Sequence, residues 1–188
     1  MNIIYPFKGK MVELRPFVPE DRVSLFQYLN DPELFGRRYI PWQMSDINPL
    51  SYKKIDQIIE KWDTGEKEIN LAITLQSSQE LIGHSQIEWN WDPHAPSVSI
   101  VINPSFQRKG YGKEVLVLLL NYTFMYTPAV NISCWINEYN EVGILFAKSC
   151  GFKDAGQMRR VGIYEGNYFD CLLFDLLRSE WIDLEEVK

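Results

Sequence analysis

An α+β fold, with a mostly antiparallel twisted sheet flanked by about four helices, is predicted by two features of the sequence. Three strand patterns, "INLAITL", "LIGHSQIEWNW" and "SVSIVI", succeed one another across the turn clusters "QSSQE" and "DPHAPS", as in an antiparallel meander. Helical periodicities lie before and after that meander. Two more strand patterns, "DAGQMRRVGI" and "YFDCLLFDLL", joined at "YEGN", follow near the end of the chain.

Taken in order, "MVELRPF" reads as a short strand of alternating polarity, and "PEDRVSLFQYLND" as a helix. Pro19 opens that helix, Glu20 and Asp21 occupy its first turn, and Asp31-Pro32 ends it. Residues 33–50 hold glycine, prolines and turn formers without a sustained period, which predicts a long loop of the kind that often carries function. Residues 51–62 place Ile55, Ile58, Ile59 and Trp62 on one stripe, a second helix. After the meander, Val115, Leu118, Leu119, Tyr122 and Met125 repeat at helical spacing over 111–126. The strand "VNISCWI" and a helix over 141–150, closed by Gly151, precede the final two strands.

At 188 residues and 46% hydrophobic content, the sequence predicts one domain spanning 1–188. The aliphatic run 115–120 is far short of the ~20 residues of a membrane helix, and "MNIIYPFKGK" lacks a signal-peptide core. The expectation is a cytoplasmic protein with no membrane partner, as a monomer or homodimer. Cys134, Cys150 and Cys171 form no C-x-x-C pair and sit among apolar neighbours, so buried free thiols are expected and no metal. The net charge of −6 argues against nucleic acid and leans toward a cationic partner.

The stretch "NPSFQRKGYGKEVLVLLL" carries two glycines, Gly110 and Gly112, between a strand and a helix. Amides at a helix N-terminus and the positive end of its dipole bind anions, and glycines let a phosphate approach the backbone. Gln107, Arg108, Lys109 and Lys113 are expected to add donors and charge around that anion. Neither G-x-x-x-x-G-K-[ST] nor G-x-G-x-x-G is present, which argues against ATP or a dinucleotide.

"QRKGYG" resembles the Q/R-x-x-G-x-G/A signature of the GNAT superfamily of N-acetyltransferases. "NEVGILFAKSCGF" resembles the family segment in which an asparagine opens a helix closed by Gly-Phe. "VELRPFVPED" and "GNYFDCLLFDLLRSEW" are similar to the ends of the RimJ/RimL-like branch. The resemblance implies acetyl-CoA as cosubstrate, with Gln107, Arg108, Lys109, Gly110, Tyr111 and Gly112 at the pyrophosphate. It also implies that Val101 and Ile102 backbone groups pair with pantetheine, as does Asn140. Two parallel strands, ending near Ile102 and Trp135, should splay to admit the cofactor.

The activity implied is acetyl transfer to a primary amine, on a protein N-terminus, a polyamine or another small molecule. A general base must take the ammonium proton, amides must hold developing negative charge, and an acid must reprotonate the thiolate. Strand alternation puts His84, Gln86, Glu88 and Asn90 on one face. Glu88 is the candidate base, with a solvent-facing carboxylate or a water-relayed base as alternatives, and His84 is read as a satisfied polar residue. Relatives place serine or tyrosine where this chain has Gly143 and Ala147, so Gly143→Ser or Ala147→Tyr is expected to supply an acid without touching cofactor affinity. Tyr39, Trp42 and Trp89 are candidates for the acceptor wall, against ordinary core burial. Two other readings stand beside this one: an acyl-CoA-binding protein with little turnover, and a phosphate or nucleic-acid module using Arg108 and Lys109.

Overall fold

The computed structural model describes residues 6–34, 49–89 and 92–181. β1 (Val12–Arg15) leads through a 3-10 turn at Pro19–Asp21 into α1 (Arg22–Leu29). The sequence predicts helix from Pro19, but the first turn winds tighter. There Asp21 accepts from both Arg15 guanidinium nitrogens at 2.8 Å and from the Val18 N–H at 3.0 Å. α2 (Tyr52–Thr64) starts on Ser51, whose hydroxyl accepts the Lys54 N–H at 3.2 Å.

β2 (Glu68–Leu75), β3 (Leu81–Glu88) and β4 (Ser97–Ile102) form the expected antiparallel meander. β3 ends at Glu88, and of the predicted run to 91 the last two residues lie outside the described ones. α3 (Tyr111–Tyr126), β5 (Asn131–Asn137), α4 (Glu141–Ser149), β6 (Lys153–Tyr164) and β7 (Asn167–Leu177) follow, and 178–181 begin another helical turn. Among the described residues seven strands run in the order β1-β2-β3-β4-β5-β7-β6, and the β4–β5 pair alone is parallel.

The sheet separates two cores. On one face α3 buries Val115, Leu119 and Phe124 with Ile73, Ile87 and Ile132; on the other, α1 and α2 bury Leu25, Tyr28 and Ile55 over Ala72 and Leu81. Each fully buried aliphatic contributes roughly 1.5–3 kcal/mol. Among the described residues no helix is long and apolar enough to cross a membrane, and no group of three potential metal ligands gathers.

One long-range contact fixes α3 against the edge of the sheet. The backbone N–H groups of Lys10, Met11 and Val12 donate to the Glu114 carboxylate at 2.6, 2.9 and 3.0 Å. Gly9 leaves room for it, since a Cβ there would come within 2.7 Å of Glu114 Cδ. Hydrogen bonds to a charged acceptor contribute roughly 1.5–3 kcal/mol each when shielded, and less at this part-exposed site. Glu114→Ala is therefore expected to cost about 2 kcal/mol and lower Tm by roughly 4–8 °C, measured by calorimetric unfolding.

Candidate active site

β4 and β5 pair at a single rung, Ser97 opposite Ser133, where the Ser133 N–H donates to the Pro96 carbonyl at 3.0 Å. On its other edge β4 is fully paired with β3, and the Asn103 N–H donates to Ile82 O at 2.8 Å. Antiparallel ladders alternate, so residues 97, 99, 101 and 103 turn their backbone groups to β3 while 98, 100 and 102 turn theirs to β5. Below the rung the groups of Ile100 and Ile102 therefore face an opening. Val101, named from sequence beside Ile102, instead directs its N–H at β3 and its side chain into the α1–α2 core. Which of the two edges a residue faces depends on register, and register is not readable from one strand.

Two cavities, of about 410 and 360 Å³, meet in this opening and share Ile100, Val101, Asn140, Gly143 and Phe146 in their walls. The smaller runs to the N-terminus of α3. Gly110 precedes the helix at φ +88°, the left-handed region that costs other residues about 1–2 kcal/mol, and no side chain caps the helix. The first amides of α3 thus keep their hydrogen-bonding capacity. A Cβ on Gly112 would stand 3.8 Å from the Phe146 ring and 4.0 Å from Ile102 Cγ1, so the bare backbone there leaves space that packing alone does not require. Both features fit a phosphate against backbone.

The polar side chains of the loop divide. Gln107 Nε2 donates to the Ile102 carbonyl at 2.9 Å, and Lys109 Nζ donates to Ser105 O at 3.0 Å while lying over the Phe106 ring at 5.1 Å. These two hold the loop together, contrary to the expectation that they face the anion. Arg108 and Lys113 are exposed beside the smaller cavity and make no ion pair among the described residues.

Asn140 caps α4, its Oδ1 accepting the Gly143 N–H at 3.1 Å. A Cβ on residue 143 would lie 2.7 Å from Asn140 Nδ2. Gly143→Ser therefore moves the asparagine that the sequence reading left untouched, and it is no clean way to restore an acid. Ala147 is 4% exposed and lines the larger cavity, as does Cys134. Burial pushes the Cys134 thiol up to about 12.

The larger cavity is floored by one face of β2 and β3. Register pairs Glu68 with Glu88, Asn70 with Gln86 and Ala72 with His84. Glu88 faces the cavity, and His84 packs between rings, its Nδ1 2.8 Å from the Tyr28 hydroxyl and its centroid 4.9 Å from that of Trp62. Trp89 is corrected from an acceptor wall to core: alternation turns it to the opposite face, where it packs with the α3-side cluster. Tyr39 and Trp42 lie outside the described residues. Trp62, Glu68 and Asn70 line the cavity although the sequence reading assigned them no site role; the signal was the parity of Glu68 and Asn70 with the start of β2.

Three comparisons bear on the chain's relatives. Residues 12–153 match the family described as "Acetyltransferase (GNAT) domain". The SPbeta prophage-derived uncharacterized N-acetyltransferase YokL of Bacillus subtilis is 21% identical over 96% of this chain and 97% of its own length. A spermidine N(1)-acetyltransferase of Vibrio cholerae is 22% identical over 72% of this chain and 79% of its own. Among solved structures, a GNAT-family acetyltransferase from Bacillus anthracis aligns with a TM-score of 0.78 at 20% identity, covering 92% of this chain and 98% of that one. The spermidine N-acetyltransferase of Vibrio cholerae in complex with CoA and spermine also gives 0.78, at 19% identity over 93% and 99%. With the family match over most of its length and the interrupted parallel pair at its centre, the chain belongs to the GNAT family of acetyltransferases.

Proposed function

We propose that the protein transfers an acetyl group from acetyl-CoA to a primary amine by direct attack of the amine on the thioester. The observation that carries this reading is the β4–β5 opening, where the unladdered backbone of Ile100 and Ile102 runs toward the uncapped start of α3. Acetyl-CoA supplies the activated acyl group. The amides of Tyr111 and Gly112, with Arg108 and Lys113, would hold its pyrophosphate, and Ile100, Ile102 and Asn140 would hold its pantetheine arm. The Ile100 or Ile102 N–H is oriented to stabilise negative charge developing in the opening.

Glu88 takes the proton from the attacking ammonium. With no hydroxyl at 143 or 147, the proton that leaves with the thiol comes from the amine or from water. Cys134 is no acyl carrier, because its raised pKa keeps the thiol neutral at working pH. The spermidine enzymes among the relatives support a polyamine as one acceptor class, beside a protein N-terminus, and the chain's two ends support the RimJ/RimL-like branch. The glycine and alanine at 143 and 147 favour a second reading, an acyl-CoA-binding protein with little turnover.

Four outcomes test the proposal. In titration calorimetry coenzyme A binds roughly 100-fold or more tightly than pantetheine, given two or more charge-assisted phosphate contacts. Gly112→Ala raises folding stability by about 0.5–1 kcal/mol, because glycine is unfavourable in a helix, yet weakens coenzyme A; equal affinity for pantetheine would sink the phosphate loop. Glu88→Gln lowers single-turnover acetylation by about 10²–10⁴-fold and flattens its rise with pH. An unchanged rate and profile takes Glu88 out of the mechanism, and coenzyme A binding with no thiol release on any amine supports the second reading. Alkylation of Cys134 at pH 8.5, followed by mass spectrometry, proceeds at least ~100-fold slower than that of a free thiol.

A further inference from the structure

The α2–β2–β3 arm of the larger cavity carries charges of both signs and a buried polar group that acetyl transfer as described leaves unused. On its floor Glu68 and Glu88 are register partners. The Trp89 N–H donates to the Lys67 carbonyl at 2.8 Å, so the adjoining Glu68–Glu88 pair is of the non-hydrogen-bonded type, in which side chains lie closest. Register thus sets two carboxylates side by side on the cavity floor, where one ammonium can meet both.

One rung further in, Asn70 is 8% exposed, lines the cavity, and its Nδ2 has no hydrogen-bond partner among the described residues. Its cross-strand neighbour Gln86 is engaged elsewhere, donating to Glu68 at 2.6 Å. A buried carboxamide without a partner costs stability, and a ligand oxygen is what relieves it. On the opposite wall Lys54 and Lys61 stand two turns apart on α2 and line the same cavity, and neither makes an ion pair among the described residues.

We infer that this arm is an acceptor pocket for a zwitterionic amine, a short peptide with a free carboxylate. Its ammonium lies against Glu88 and Glu68, its carbonyl oxygen takes the Asn70 donor, and its carboxylate meets Lys54 and Lys61. The inference rests on the acetyl-transfer reading and narrows the acceptor within it. A bare polyamine is cationic along its length, so it meets both lysines as like charges and offers Asn70 no acceptor.

The test titrates the protein saturated with coenzyme A against alanyl-alanine, alanyl-alanine amide and spermidine, and measures thiol release from acetyl-CoA with the same three amines. Alanyl-alanine is expected to bind about tenfold more tightly than its amide and than spermidine. The K54E/K61E double variant reverses that order while coenzyme A affinity holds. Asn70→Leu raises Tm yet weakens alanyl-alanine about tenfold, a pairing that a purely structural asparagine would not give. Equal binding of acid and amide, a preference for spermidine, or no saturable binding of alanyl-alanine overturns the inference. Thiol release with spermidine but not alanyl-alanine does the same while leaving acetyl transfer intact. Carboxylate-dependent binding with no thiol release on any amine upholds the pocket and counts against catalysis instead.

Discussion

One backbone rung, Ser97 with Ser133, joins β4 to β5, and the chemistry of the site depends on the absence of a second. On either side of that seam the sheet is conventional: β3 pairs along β4 and β7 pairs along β5 without interruption. Unsatisfied backbone groups inside a protein cost about 1–3 kcal/mol each, so an opening between two paired blocks needs something to hold it and something to fill it. Ile102 and Phe146 hold it from the side by packing into the α3-face core, and the Gln107 side chain satisfies the Ile102 carbonyl. What remains open is the edge along which an extended amide-bearing molecule can add itself as a strand substitute.

The same economy appears at three further positions. Gly110 takes a left-handed turn, Gly112 sits bare in the first turn of a helix, and Asn70 is buried without a partner for its amide. The last two lower folding stability relative to an ordinary residue, the first admits no ordinary residue without strain, and each borders a cavity. Stabilising contacts lie outside the cavities: the three amides on Glu114 fasten α3 to the β1 edge, and the Arg15–Asp21 pair closes the start of α1. A rigid frame around locally unsatisfied groups is what a binding site requires.

Much of the frame was legible in the sequence because each element announces its own ends. The stripe of Ile55, Ile58, Ile59 and Trp62 marks α2, Gly151 follows α4, and two strand patterns around "YEGN" make the β6–β7 hairpin. The glycine loop was legible as a strand-to-helix turn, since its two glycines stand between a strand pattern and a helical one. What escaped was everything decided between elements. The parity that turns Ile100 rather than Val101 toward the opening comes from the β3 register, and Glu68 becomes a site residue only because β2 places it opposite Glu88. Gln107 and Lys109 looked like anion ligands because sequence shows a charge or a donor without showing that a carbonyl four or five residues away already takes it. Trp89 misled for a like reason: aromatic content is visible, facing is not.

The most direct test of the open seam is residue-resolved amide exchange with and without coenzyme A. The Ile100, Ile102 and Gly112 amides should exchange quickly in the free protein and slow strongly on binding, while the Val101 amide, already bonded to β3, changes little. Protection confined to Val101, or coenzyme A binding that leaves Ile100 and Ile102 as exchangeable as before, would contradict the account.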